Sequence, residues 1–114
     1  MTTACDLTAR RCRPCEGGIP ALTADEAGNL MRALDAGWKL AADGKSISRV
    51  FTFADYRRTI GFVNAVAWIA DAEDHHPDLE VHYGRCTVRW WTHAIAGLSE
   101  NDFICAAKVD RLFG

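Results

Sequence analysis

The sequence predicts an α+β fold: a two-layer sandwich in which three helices cover one face of a four-stranded, mainly antiparallel sheet, in the order α-β-β-α-β-β-α. Three observations carry this. The hydrophobic period switches repeatedly between the helical 3.6 and the strand value of 2. Two short turn segments, Asp43-Gly44 and Gly84-Arg85, each separate a pair of strand-like runs. A length of 114 residues suits one domain and leaves little room for two.

The elements follow in order. Residues 1–21 are rich in Arg, Gly, Cys and Pro, show no period, and read as a flexible N-terminal arm ahead of a domain over residues 22–114. Thr23 and Glu26 form a capping box, and Ala27, Leu30, Met31 and Leu34 fall on one helical face that Gly37 stops. Trp38–Ala41 is a short strand. Asp43-Gly44 is a hairpin turn, because both residues tolerate positive φ. Ser46–Phe53 follows as a strand, with Ile47, Arg49, Phe51 and Phe53 on one face. Over Asp55–Asp74 the period becomes helical, with a stripe of Tyr56, Ile60, Val63, Ala67 and Ala70 widened by Phe62, Val66 and Ile69. Pro77 ends it. Leu79–Tyr83 and Cys86–His93 form the second hairpin. Its second strand would place Cys86, Val88, Trp90 and Thr92 on one face and leave Arg89 and Trp91 on the other. Ser99 caps the last helix, Asp102 suits its positive end, and Leu98 against Phe103 makes a hydrophobic staple.

The composition is 49% hydrophobic and 25% charged, which is that of an ordinary globular domain and excludes a disordered or disulfide-dense chain. Thirteen Lys+Arg against fifteen Asp+Glu argue against a partner held by a strongly basic surface, so no direct nucleic-acid binding is expected. No run approaches the ~20 apolar residues of a membrane span, and no signal-peptide core follows Met1. The expectation is a cytoplasmic protein with no membrane association and mostly reduced cysteines. Cys12 and Cys15 form a single CxxC, open to a metal knuckle, a redox role or a plain arm. Cys86 and Cys105 fall in apolar patterns and read as small core residues.

All four histidines, His75, His76, His82 and His93, fall within nineteen residues, just after the acidic run Asp71-Ala72-Glu73-Asp74. Acidic side chains at a helix C-terminus are unfavourable there, so their presence suggests a use for the local field. A histidine is the side chain best suited to acid–base work near neutrality. Three arrangements fit the residues: a solvated helix end, a metal site, or a metal-free acid–base site where the helix end meets the second hairpin. Adjacent histidines point apart, and no His-x-x-x-His spacing is present, which weighs against the metal.

The run Asp71-x-x-x-His75-His76-Pro77, followed at fixed spacing by Tyr83, His93 and Asp102, resembles the signature of the pterin-4a-carbinolamine dehydratases. The resemblance is echoed in Gly37-Trp38, in Phe51-x-Phe53-x-Asp55-Tyr56, and in Thr92-His93 with Gly97-Leu98-Ser99-x-x-Asp102. It spans roughly residues 22–112. Departures are Asp71 where the family often has Glu, Asn101 where some members carry Arg, Ala94 where some carry Glu, and the bulky Trp90-Trp91.

The resemblance implies a dehydratase that removes water from 4a-hydroxytetrahydropterin to give quinonoid dihydropterin. That step recycles the tetrahydropterin of aromatic amino-acid hydroxylases, so it implies a functional link to phenylalanine hydroxylation. It implies His75, His76 and His93 as the catalytic set, with Asp74, Pro77, Thr92, Trp38 and Asp102 around the substrate. No metal and no organic cofactor is expected. For Trp38, core packing competes with stacking on the substrate; His82 reads as an exposed residue outside the signature. A homodimer or homotetramer is expected, because Arg89 and Trp91 would leave an aromatic on a free sheet face. Animal members of the family also act as dimerisation cofactors of a transcription factor, so a regulatory pterin-binding or dimerising protein is the alternative.

Overall fold

The computed structural model describes residues 1–14, 17 and 19–114, organised around four antiparallel strands. These are β1 (Lys39–Leu40), β2 (Ile47–Thr52), β3 (Asp78–His82) and β4 (Arg85–Trp90), in the spatial order β1-β2-β4-β3. Register is set by side-chain alternation: Ile47 pairs with Trp90 and Phe51 with Cys86, so one sheet face collects the apolar residues. The α+β class, the four antiparallel strands and the two hairpins are as the sequence predicts. Gly44, at φ 71°, supplies the left-handed residue of the first hairpin turn.

Among the described residues four α-helices accompany the sheet rather than three: α1 (Ala4–Ala9), α2 (Ala24–Met31), α3 (Tyr56–Glu73) and α4 (Glu100–Asp110). The extra helix, α1, falls where the sequence shows no period. It is only six residues long, too short for a period to show. A capping box starts it: the Asp6 N–H donates to Thr3 Oγ1 (3.1 Å) and the Thr3 N–H to Asp6 Oδ2 (2.9 Å). Leu7 then points inward and is fully buried, and α1 packs against α4. Cys15 lies outside the described residues, so the CxxC has only Cys12 in view. Cys12 is half-buried, with its Sγ 3.5 Å from that of Cys105. Cys86 and Cys105 are fully buried, as their apolar patterns predict.

The buried face of α3 differs from the predicted stripe. Thr59, Phe62, Val66, Ile69 and Ala70 face the core, whereas Tyr56 and Ala67 are exposed. The helix is therefore turned so that the residues expected at the margin lie at its centre. Thr59 tolerates burial because its hydroxyl donates to the Tyr83 carbonyl (2.8 Å) in the β3–β4 turn. Phe51, Phe53 and Phe62 cluster with Phe113, whose ring stacks on that of Phe51 at 5.6 Å.

Both ends of α3 are specified. Asp55 accepts the Arg58 N–H at 2.8 Å. At the other end Asp74 adopts the left-handed conformation, φ 50° and ψ 43°, and reverses the chain. Glu73, just before it, turns away from the histidines. Its side chain is 5% exposed and meets Lys108 at 2.8 Å and Arg11 at 3.0 Å, while the Cys12 N–H donates to its Oε1 (2.8 Å).

This burial pushes the Glu73 carboxyl up, but the hydrogen bonds from Lys108 and Cys12, with the charges of Lys108 and Arg11, outweigh it and hold it below the usual carboxylate value. A depressed carboxyl stabilises the fold above its unfolded-state value and loses that contribution as pH falls through its folded-state value. Glu73→Gln is therefore expected to cost about 1–2 kcal/mol at pH 7. The gap to the unaltered protein should close as pH falls through the depressed titration of the Glu73 carboxyl. Urea denaturation across that pH range checks both statements; a gap that stays constant into acid would contradict them.

Candidate active site

The reversal at Asp74 delivers His75 and His76 to the end of α3, where β4 also finishes. There Thr92 closes a short loop by donating its N–H to the Gly97 carbonyl (2.8 Å), and His93 opens a single 3-10 turn, His93–Ile95. The loop returns the chain to Ser99 and the N-terminus of α4. Helix end, strand end and helix start thus converge on one cleft of about 460 Å³. Asp74, His75, His76, Thr92 and His93 all line it.

His75 is the most constrained of the three imidazoles. It is 9% exposed and stacks nearly parallel on the buried Trp90, with ring centroids 5.7 Å apart. Its Nε2 lies 2.6 Å from Asp102 Oδ1. Asp102 is wholly buried, and its other oxygen accepts from the Thr92 hydroxyl (2.8 Å) and the Ser99 N–H (2.9 Å). The carboxylate therefore caps α4, where the helix dipole favours negative charge, and holds the His75 ring in place. With Nε2 engaged, Nδ1 is the nitrogen left for chemistry.

His76 and His93 are exposed in the same cleft. His93 lies against Trp91, ring centroids 3.8 Å apart, and the Trp91 indole N–H donates to Asp78 Oδ2 (2.8 Å). Two imidazoles thus stand at solvent, and a third is fixed by a buried carboxylate. That set can protonate one atom of a bound heterocycle while deprotonating another. Among the described residues no three His, Cys, Asp or Glu side chains converge to hold a metal ion.

Several predicted site residues sit elsewhere. Trp38 is buried at the far end of the core, its indole N–H donating to Asp110 Oδ1 (2.8 Å) and its ring edge on Phe51. It does not reach this cleft, so core packing accounts for it. Asp102 touches no open space and acts only through His75, Thr92 and Ser99. Pro77 is half-buried outside the lining and leads into β3. Of the acidic run, only Asp74 lines the cleft. His82 is exposed on β3, 3.3 Å from Glu80.

The sequence reading missed other lining residues. Trp91 is part of the cleft rather than of a free sheet face, because β4 ends at Trp90 and the alternation ends with it. Arg13 and Pro14, from the N-terminal segment, also line it, beside Asn101. No local pattern marks residues that reach the site only through tertiary packing.

Comparisons with known proteins bear on this cleft. A family model described as "Pterin 4 alpha carbinolamine dehydratase" matches residues 20–112. A Nitrosomonas europaea protein bearing the name "Putative pterin-4-alpha-carbinolamine dehydratase" is 60% identical over 113 residues, covering 99% of this chain and 98% of its own. A Legionella pneumophila protein of the same name is 49% identical over 107 residues, 94% of this chain and 95% of its own. Among solved structures, a "transcriptional coactivator/pterin dehydratase" from Brucella melitensis superposes with a TM-score of 0.77 at 35% identity, covering 82% of this chain and 99% of that one.

The buried carboxylate generates one expectation. Asp102→Ala strips partners from Thr92, the Ser99 N–H and His75 at once, and should cost about 2–4 kcal/mol. Urea denaturation measures it; a change within about 0.5 kcal/mol, the range of an ordinary surface substitution, would show that the carboxylate does not hold the site together.

Proposed function

The chain belongs to the pterin 4 alpha carbinolamine dehydratase family, and from that premise we propose that it removes water from 4a-hydroxytetrahydropterin by histidine acid–base catalysis. The observation that carries the proposal is the convergence of His75, His76 and His93 on one cleft, with His75 held by buried Asp102.

The reaction asks for two proton movements. The departing 4a-hydroxyl takes a proton and leaves as water. The neighbouring ring N–H gives one up as the carbon–nitrogen double bond of quinonoid dihydropterin forms. One imidazole gains a proton and another loses one, so the site as a whole returns to its starting charge. Asp102 accepts the hydrogen on His75 Nε2 and thereby leaves the Nδ1 lone pair available, which suits His75 to the base. His76 and His93, at solvent, are placed to supply and replace the acid's proton. Asp74, the one carboxylate of the lining among the described residues, fits an orienting role. The reaction needs no metal and no organic cofactor, because the substrate is itself a spent cofactor.

The biological setting proposed is the recycling of tetrahydropterin after aromatic amino-acid hydroxylation, in the cytoplasm. Among the described residues no helix is long and apolar enough to cross a membrane. The regulatory alternative has support in the double description of the Brucella relative. Three intact histidines in one cleft favour turnover.

His75→Ala, His76→Ala and His93→Ala are each expected to slow dehydration while the fold survives. A lost general acid or base costs ~10²–10⁴-fold, and spontaneous dehydration sets a floor, so about 10²-fold or less is expected. Double variants should be less than additive, since the groups serve one transition state. His82→Ala, away from the cleft, should match the unaltered protein. Turnover of 4a-hydroxytetrahydropterin, with circular dichroism to verify folding, gives the answer. Full activity in all three folded cleft variants would refute the assignment.

A homodimer or homotetramer is also proposed. The outer sheet face leaves Val50 55% exposed among polar neighbours, and a second copy would cover it. Light scattering at micromolar concentration should give a multiple of the protomer mass; the single-chain mass would overturn this.

A further inference from the structure

The N-terminal segment crosses the ends of α3 and α4 and is tied down at four consecutive residues. Arg10 meets Glu100 at 3.2 Å. Arg11 meets Glu73 at 3.0 Å and donates to the Ala72 carbonyl, also at 3.0 Å. The Cys12 N–H donates to Glu73 Oε1 at 2.8 Å. Arg13 is held differently, by its backbone. Its N–H donates to Asn101 Oδ1 (3.0 Å), and Asn101 Nδ2 donates to its carbonyl (2.7 Å).

Asn101 is 7% exposed, so a buried amide spends its acceptor and one donor on fixing one backbone position. That geometry resembles a strand pairing of a single residue and sets where the side chain starts. The Arg13 side chain is exposed and the residue lines the cleft. Arg10 and Arg11 spend their guanidiniums on ties to the helices, whereas Arg13 needs none to hold its place. The family model begins at residue 20, so this wall of the cleft comes from outside the matched segment.

We infer that Arg13 is a substrate-binding residue whose guanidinium donates to an oxygen of the bound pterin, and that Asn101 is the positioning residue that aims it. The inference rests on the dehydratase function proposed above. Arginine presents five N–H donors and no acceptor, so its complement on the ligand is an oxygen or an anion. Besides the 4a-hydroxyl that departs, the substrate offers such oxygens in two places: the ring carbonyl and the substituent at C6. Neither reacts during dehydration, so the contact would strengthen binding equally in ground and transition states and act on KM rather than on kcat.

The test compares the unaltered protein with Arg13→Ala, Arg13→Lys, Asn101→Ala and the double variant Arg13→Ala with Asn101→Ala. Two substrates are used: a 4a-hydroxytetrahydropterin with a 6-methyl group and one with a 6-dihydroxypropyl group. The affinity of 7,8-dihydrobiopterin is measured by calorimetry alongside. Arg13→Ala is expected to raise KM and weaken dihydrobiopterin binding about 10-fold, the scale of one lost hydrogen bond to a charged donor, with kcat within about 2-fold. Arg13→Lys should recover part of the loss, since it keeps the charge without the planar fork. Asn101→Ala in the Arg13→Ala background should add little, because it acts through the lost side chain. A KM effect on both substrates places the contact at the ring carbonyl. An effect on the dihydroxypropyl substrate alone places it at the side chain. An unchanged KM on both, with dihydrobiopterin affinity also unchanged, overturns the inference. Absence of turnover in the unaltered protein would instead remove the dehydratase function, and the calorimetric comparison would still decide on Arg13.

Discussion

A fully buried carboxylate is the constraint on which the rest of the molecule depends. Asp102 has no water to solvate it, and an uncompensated anion in that place would cost several kcal/mol. Its partners are a hydroxyl from the end of β4, a backbone N–H from the start of α4 and an imidazole from the turn after α3. Satisfying one group therefore fixes three chain segments relative to one another. The cleft is a by-product of that satisfaction: once the three ends meet, His75, His76 and His93 have nowhere else to be.

The main aromatic cluster lies apart from the cleft. At one end of the helices lie Phe51, Phe53, Phe62 and Phe113, with Trp38 bonded to Asp110. Arg49 closes that end by meeting Asp110 at 2.6 Å while lying over the Phe51 ring. At the other end polar side chains predominate, and Trp90 supplies a rigid floor beneath His75. Buried apolar area stabilises the fold wherever it lies, and placing the aromatic cluster at the far end leaves the cleft free to be polar and partly open.

How much could be read beforehand follows from the range of the forces involved. The hairpins were legible because alternation and turn chemistry act over a few residues. The histidine set and Asp102 were legible because their spacing resembles a known signature. The rotation of α3 was not, because both candidate stripes are apolar and packing against β2 and β4 chooses between them. The helix at Ala4–Ala9 escaped notice because six residues carry no period, although Thr3 and Asp6 did mark its start. Trp38 packs in the core, one of its two readings, while Trp91 lines the cleft instead of a free sheet face. An aromatic is equally at home in a core or at a ligand, and only the place where β4 ends decides which.

Asp74 carries one more consequence. A side chain at φ 50° costs about 1 kcal/mol relative to glycine, which adopts that conformation without penalty. Stability alone would favour glycine at the end of α3, yet the position holds a carboxylate facing the cleft. Under the function proposed above, the residue marks a point where thermal robustness and the orienting role of Asp74 pull in opposite directions. A drift towards a sturdier fold that placed glycine at this helix end would remove a carboxylate from the cleft.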